Sequence, residues 1–383
     1  MFKPTYTITN TILKYIGSVE ASREVITNAP MVPAWEAKFR EDAMVRTVHH
    51  GTHIEGNELN LSEAAKIMQQ TIAEPQKAAE AAGIVGRDRD IQEVINYRNV
   101  VRFIDDYHQM QRELPVEEKG ESGELRVEEE KSIHGVPEQV IKHLHKLTVE
   151  HILPPDASGE YRQTQVVIKN SATGEITFRP PPSVEIPFLM EDFVGWLNSA
   201  DQDIHPVLKA GIVQYELVRI HPFLDGNGRL ARALAMLVLF LDGYDIRKFF
   251  SLEEYYDHDA SRYYGALQSV QRVGGAVDLT PWLEYFTQGL AIELNRVKEK
   301  VKGLSTDLHL KEKLGGEQVF LSERQLKVVE YIQKAGYLQN QAFKQLFPMV
   351  SEDTVLRELK GLVEQGIIKK QGVTKASRYV LVK

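Results

Sequence analysis

The chain has 383 residues, 43% of them hydrophobic and 26% charged, a globular balance that excludes disorder as its main state and leaves room for two or three domains. It contains no cysteine, which excludes disulfide scaffolds, cysteine nucleophiles, zinc ribbons and iron–sulfur clusters and favours a reducing cytoplasm. The formal net charge is −8, yet from Glu317 to Lys383 there are 11 Lys and Arg against 7 Asp and Glu, so the C-terminal end is basic on an acidic chain.

The opening residues show no basic stretch followed by an apolar core and a small-residue cleavage site, so no secretory signal is expected. Residues 1–111 read as an N-terminal helical region, with clear helical spacing from about Trp35 in runs such as Leu61-Ser-Glu-Ala-Ala-Lys-Ile-Met. Residues 112–135 are rich in charge and poor in apolar anchors, which predicts a loop. Helical spacing returns over 136–152 and opens a central region, 136–302. Within it, residues 165–179 hold two β-leaning runs around an Asn-Ser-Ala-Thr-Gly turn, a lone hairpin closed by Pro180-Pro-Pro. Helices are then predicted over 187–200, 206–219, 228–242, 255–273 and 279–301. The longest apolar run, 230–241, contains Arg232 and is far shorter than the ~20 residues a membrane-spanning helix needs, so no membrane contact is expected. Gly315-Gly316 marks a linker over 303–316, and 317–383 has the size of a small domain.

The chemistry concentrates in His221-Pro-Phe-Leu-Asp-Gly-Asn-Gly-Arg-Leu-Ala-Arg232, between two helix-like stretches. Gly226-Asn227-Gly228 can turn successive N–H groups inward as an anion nest, and the helix that follows points its positive end at the same place. Arg229 and Arg232 add fixed positive charge, Asp225 is a hard oxygen ligand suited to Mg2+, and His221 is a base that titrates near neutrality. Together they suffice to transfer a phosphoryl-type group from a nucleotide to a hydroxyl. Gly226-x-Gly228-x-x-Ala231 also fits a loose dinucleotide fingerprint, with Asp245 near the expected offset, but the segment before it reads as helix rather than strand, and no P-loop sequence is present.

The stretch HPFLDGNGRLAR resembles the core signature of Fic-domain proteins, HPFxDGNGRxxR, at every defined position, and the similarity runs over roughly residues 35–291. The resemblance implies a mainly α fold: a Fic-type helical bundle with a β-hairpin flap. It implies a nucleotidyltransferase that moves AMP from ATP to a Ser, Thr or Tyr hydroxyl of a protein. By the same resemblance His221 deprotonates the hydroxyl, Asp225 holds Mg2+, and Gly226, Asn227 and Gly228 bind the α- and β-phosphates. Arg229 assists there, Arg232 reaches the γ-phosphate, and the hairpin 165–179 docks the target protein. Tyr263 and Tyr264 flank the nucleobase in this reading, although aromatic residues at such spacing are more often core. Arg162 either contacts acidic groups near the hairpin or is a solvated surface residue.

Upstream, Gly51-Thr-His-Ile-Glu-Gly-Asn57 resembles the family's inhibitory pattern [S/T]xxxE[G/N], and places the chain in the N-terminally self-inhibited subclass. Glu55 would pair with Arg232 and repel the γ-phosphate. Gly51 departs from that pattern, which has Ser or Thr four residues before the glutamate. His49 and His53 stand one helical turn apart, but with no third ligand suggested nearby they read as ordinary helix residues rather than a metal site.

Residues 317–383 resemble a winged helix-turn-helix (α+β) domain: helices over 323–334, 341–347 and 351–364, with Ser351 as N-cap and Gly366 as stop, then a two-stranded wing. The wing carries Lys369, Lys370, Lys375 and Arg378, whereas the 351–364 helix is too acidic for good phosphate contacts. DNA, another protein and a second copy of the chain all stay open as partners. The rival functions are a DNA-binding regulator with a nucleotide-sensing or inactive Fic core, and a Fic enzyme that uses another donor or removes AMP.

Overall fold

The computed structural model describes residues 2–29, 31, 33–72, 74–113, 135–169, 174, 176–199, 203–273, 276–313, 322–339, 342, 346–347, 350–364, 366–372 and 378–382. The chain divides into two units, Met1–Val301 and Lys302–Lys383, and is mainly helical.

In the first unit α1 (Asn10–Asn28) starts where the Thr9 hydroxyl accepts the Ile12 amide, and α2 (Pro33–His53) follows. The Asn60–Glu63 capping box opens α3 (Leu61–Met68); α4 (Pro75–Ala82) begins on proline and stops at left-handed Gly83. Next comes α5 (Asp88–Glu113), in which every residue from Asp90 to Arg98 is buried. A helix buried on all sides must pair its polar residues internally, and Asp90, Gln92, Glu93, Asn96 and Arg98 all do so. After α6 (Glu138–Thr148), β1 (Ile168–Lys169) pairs antiparallel with β2 (Ile176–Phe178). These paired strands are shorter than the expected hairpin, whose turn lies largely outside the described residues, as does most of the charged loop 112–135.

α7 (Ile186–Leu197) leads to α8 (Pro206–Ile220) and α9 (Asn227–Leu241), which pack together at the centre. The expected single helix over 255–273 is instead α10 (Leu252–His258), α11 (Ala260–Gln268) and strand β3 (Gln271–Val273), which pairs with β4 (Ala276–Asp278). The break has a local cause: the Asp259 carboxylate caps the Arg262 amide at 3.0 Å, so a new helix starts there. α12 (Thr280–Lys313) runs through most of the expected linker, which is thus helical as far as Lys313; the two glycines behind that expectation lie outside the described residues.

The second unit contains the end of α12, then α13 (Glu323–Ala335) with a Ser322–Gln325 capping box, β5 (Leu338–Gln339), α14 (Glu352–Glu364), β6 (Ile368–Gln371) and β7 (Arg378–Leu381). β7 pairs antiparallel with both β5 and β6, so the expected two strands form a sheet of three. Val328, Ile332, Leu338, Val355, Leu359, Leu362 and Ile368 make its separate core. Ser351 accepts the Thr354 amide, and Gly366 ends the helix at φ 69°. Most of the expected helix 341–347 and Lys375 lie outside the described residues.

The site-bearing pair α8–α9 is backed by α12. Trp282 donates its indole N–H to the Gly211 carbonyl at 2.7 Å, and a Cβ at Gly211 would stand 2.9 Å from Leu283 and 3.1 Å from Phe286. Gly211→Val should therefore overpack this contact and cost about 1–3 kcal/mol, read as a lower denaturant midpoint at unchanged slope.

Candidate active site

The site is built on the bend between α8 and α9. His221 ends α8 in the left-handed region, at φ 51° and ψ 59°, a conformation costly for a residue with a Cβ. Arg162 holds it there: the Arg162 amide donates to Pro222 O at 2.9 Å and its Nε to His221 O at 2.9 Å, while Nη1 and Nη2 donate to Thr164 O and Pro181 O at 3.0 and 2.6 Å. Arg162 is only 2% exposed and bonds carbonyls alone, so it is neither a partner of acidic groups nor a surface residue; it clasps the base of the hairpin segment to the bend. Burial drives the His221 imidazole down to about 4, which leaves it neutral and able to accept a proton at pH 7.

The rest of the bend is fixed just as locally. Asn227 uses both ends of its side-chain amide on Phe223, accepting from its N–H at 3.0 Å and donating to its C=O at 2.9 Å. This side chain shapes the loop, so what Asn227 offers a phosphate is its main-chain N–H. Gly226 has φ 76°, and a Cβ there would meet Val149 at 2.8 Å and Thr148 at 3.2 Å. His145, which no sequence signal distinguished from other helix residues, accepts the Gly159 amide at Nδ1 (2.9 Å). Its Nε2 therefore carries the proton and donates to Asp225 O at 3.0 Å. The ring stacks on Phe223 at 3.8 Å, and burial lowers its pKa to about 4, keeping that tautomer neutral.

Charged groups converge on the nest. Arg232 is 2% exposed; its Nη1 donates to Glu55 Oε1 at 2.8 Å and its Nη2 to Gly51 O at 2.8 Å. Glu55 lies in the turn after α2, and its carboxylate oxygen sits directly over Gly228, where a Cβ would collide with it. The carboxylate thus lies beside the arginine and against the first turn of α9. Gly51 must be glycine in this arrangement, because the buried Tyr97 ring occupies the space of a side chain there. Tyr97 in turn donates to Glu253 at 3.1 Å.

Asp225 accepts the Gly226 amide at 2.6 Å and Arg89 Nη2 at 2.8 Å, with Arg229 Nη2 at 3.6 Å. Burial pushes its carboxyl upward, but Arg229, the Gly226 amide and Arg89 outweigh that and hold it below the usual carboxylate range. Arg229 also pairs with buried Glu93 at 3.1 Å. Mg2+ binds through one or two carboxylates plus substrate phosphates, and a lone ionised carboxylate at the rim of an anion nest, already facing a cation, fits that donor set.

Tyr263 is 1% exposed, stacked on Tyr256 at 4.6 Å and bonded to Gln214, so it belongs to the core and shows no face to a nucleobase in this structure. Tyr264 is 40% exposed and donates its hydroxyl to Ile54 O at 3.2 Å, on the turn that carries Glu55. His50 and His53 both direct Nδ1 to Asp257, at 2.7 and 2.8 Å, pinning the end of α2 to α10; the His49 ring lies tilted against both.

Residues 135–239, which carry the whole bend, match the Fic/DOC family model. The chain contains a Fic domain. It is homologous to protein adenylyltransferase Fic, at 25% identity over 228 residues to the protein of Drosophila grimshawi and 28% over 247 residues to that of Nematostella vectensis. These alignments cover 59% and 63% of this chain but only 39% and 49% of those relatives, so the chain spans less than half the length of the curated relatives it matches. A Fic family protein from Desulfovibrio desulfuricans is similar in fold, in an alignment that covers 100% of this chain and 98% of its own, with a TM-score of 0.59 and 21% identity. Fic-1 from C. elegans aligns over 77% of this chain and 73% of its own, with a TM-score of 0.54. Among the described residues no helix is long and apolar enough to cross a membrane.

The Arg162 clasp gives a direct test of how the bend is held. Arg162→Ala leaves three carbonyls, those of His221, Thr164 and Pro181, without their donor and should lower stability by about 2–4 kcal/mol, whereas Arg179→Ala on the hairpin flank should stay within about 0.5 kcal/mol in the same denaturation experiment.

Proposed function

We propose that this protein is a protein adenylyltransferase that transfers AMP from ATP to a Ser, Thr or Tyr hydroxyl of another protein, and that it rests in a self-inhibited state. The observation that carries the reading is the Glu55 carboxylate seated over Gly228 and paired with Arg232. An anion already occupies the cradle, so the cradle binds anions, and the occupant must leave before a nucleotide tail can enter.

With the cradle free, the main-chain N–H groups of the bend and the start of α9 receive the phosphates, Arg229 assists them, and Arg232 turns its released Nη1 to the γ-phosphate. Asp225 would hold Mg2+, which supplies charge neutralisation across the phosphate oxygens. Neutral His221 takes the proton of the target hydroxyl as its oxygen bonds to the α-phosphorus; the bond from that phosphorus to the bridging oxygen breaks, and pyrophosphate leaves. The target's segment adds as a strand to the hairpin, where Val167 and Ile176 are exposed, and Arg162 keeps the hairpin base at a fixed offset from His221. Of the two tyrosines we assign the nucleobase contact to Tyr264, because it is exposed beside the turn that carries Glu55.

The second unit we read as a winged helix. Its β6 and β7 carry exposed Lys369, Lys370 and Arg378, and it serves to place the enzyme on a partner rather than to replace its chemistry.

Incubation with labelled ATP and Mg2+ tests the assignment. Wild type should label candidate proteins weakly, Glu55→Gly more strongly by on the order of ten- to a hundred-fold, and Glu55→Gly with His221→Ala at background. Failure of Glu55→Gly to label anything would favour the nucleotide-sensing regulator. Because the base works in its neutral form, labelling is lost as pH falls through its pKa. With His221 held near 4, the Glu55→Gly rate should stay level from about pH 8 to about pH 6 and decline only below that; a decline centred near 6.5 would show an unperturbed imidazole.

A further inference from the structure

Around Asp225 four charges close a ring of alternating sign. Arg89 Nη2 stands 2.8 Å from Asp225 Oδ2, Arg89 Nε 3.1 Å from Glu93 Oε1, Arg229 Nη1 3.1 Å from the same Glu93 oxygen, and Arg229 Nη2 3.6 Å from Asp225 Oδ1. Three of the members have little freedom. Glu93 and Arg229 are buried, and Asp225 is tethered by the Gly226 amide. Arg89 is the exception, since its side chain is 59% exposed and reaches Asp225 from the rim of the site. If it swings away, Asp225 keeps Arg229 and Gly226, while Glu93 keeps Arg229 and Asn57. Arg89 is therefore the member most readily displaced, because each carboxylate it touches keeps another partner.

We infer that Arg89 is a resident stand-in for the divalent cation, lying on the carboxylate that the metal must take and so setting how readily the metal–nucleotide complex is accepted. The inference rests on the proposed adenylyl transfer and deepens it. In the resting site Glu55 lies where a phosphate would lie and Arg89 lies where its metal would, so the protein carries an internal copy of the charge pattern of its substrate. Both ends hang on one turn. Residues 52–57 carry Glu55, and Asn57 of the same turn donates to Glu93 Oε2 at 3.2 Å and to Asp90 O at 2.9 Å, while Arg87 donates to Gly56 O at 3.0 Å. Arg89 is a positioning residue in this scheme. It touches the metal's ligand and leaves when the metal arrives.

The test is a binding measurement on the full chain. Calorimetric titration of Glu55→Gly with an ATP analogue whose α,β-bridging oxygen is a methylene, in Mn2+ and separately in EDTA, gives the factor by which the metal tightens binding. Adding Arg89→Ala should raise that factor about two- to five-fold and leave the affinity in EDTA within about two-fold, with Arg89→Lys in between. An unchanged factor overturns the inference. So does a marked loss of affinity in EDTA, which would make Arg89 a phosphate ligand. Glu55→Gly alone failing to bind the analogue would instead count against the proposed function, so the two failures are distinguishable.

Discussion

The ion pair between Glu55 and Arg232 is the interaction on which the rest of this site depends. Arg232 is a full charge almost completely removed from water, a placement that is tolerable only with a counter-charge close by. Glu55 supplies the charge and the Gly51 carbonyl the second acceptor, so the end of α2 is drawn onto α9. That approach requires a glycine at 51, because the Tyr97 ring fills the space beside it. The same turn then reaches α5 through Asn57 and α11 through the Tyr264 hydroxyl, while His50 and His53 fix the helix end to Asp257. The end of α2 and its turn are thus tied to four helices, α5, α9, α10 and α11.

The bend between α8 and α9 is the second constraint, and it is held from outside the motif. A left-handed histidine and a left-handed glycine within six residues would not persist without support. Arg162 grips the carbonyl of His221, His145 the carbonyl of Asp225, and the Asn227 amide both backbone groups of Phe223. Each bond spends a polar group on geometry, and the His221 ring ends within electrostatic reach of Glu55 and Asp225. The cost of that strain is met by side chains that take no part in the proposed chemistry, the usual arrangement at a preorganised site.

What was legible in the sequence divides along these lines. His221, Asp225, Arg229 and Arg232 could be named because glycines, a base and fixed charges within twelve residues admit few other uses, and the amphipathic spacing of the neighbouring segments predicted helices on both sides. Arg89, Glu93 and His145 could not, since each acts on a group far along the chain. Within α5, Glu93 and Asn96 look in sequence like the wet side of an amphipathic helix, and only the surrounding helices reveal that this side is buried. Tyr263 and Tyr264 show the same limit: they are adjacent and identical, yet one is sealed in the core and the other lies open on the turn that carries Glu55. The unrecognised β3–β4 hairpin had a signal, the Gly274-Gly275 pair between two short runs, that the helical pattern around it masked. Gly51 departs from the resembled pattern for a reason that sits in the Tyr97 ring, 46 residues downstream.

In the proposed reaction the glutamate of the turn and the tail of a nucleotide compete for one place. A crystal structure of Glu55→Gly with Mg2+ and a non-transferable ATP analogue tests this most directly. A γ-phosphate oxygen is expected over Gly228, at the position Glu55 Oε1 held, with Arg232 Nη1 bonded to it and Nη2 still on Gly51 O. A nucleotide seated away from Gly226–Gly228, or a γ-phosphate out of reach of Arg232, would contradict it.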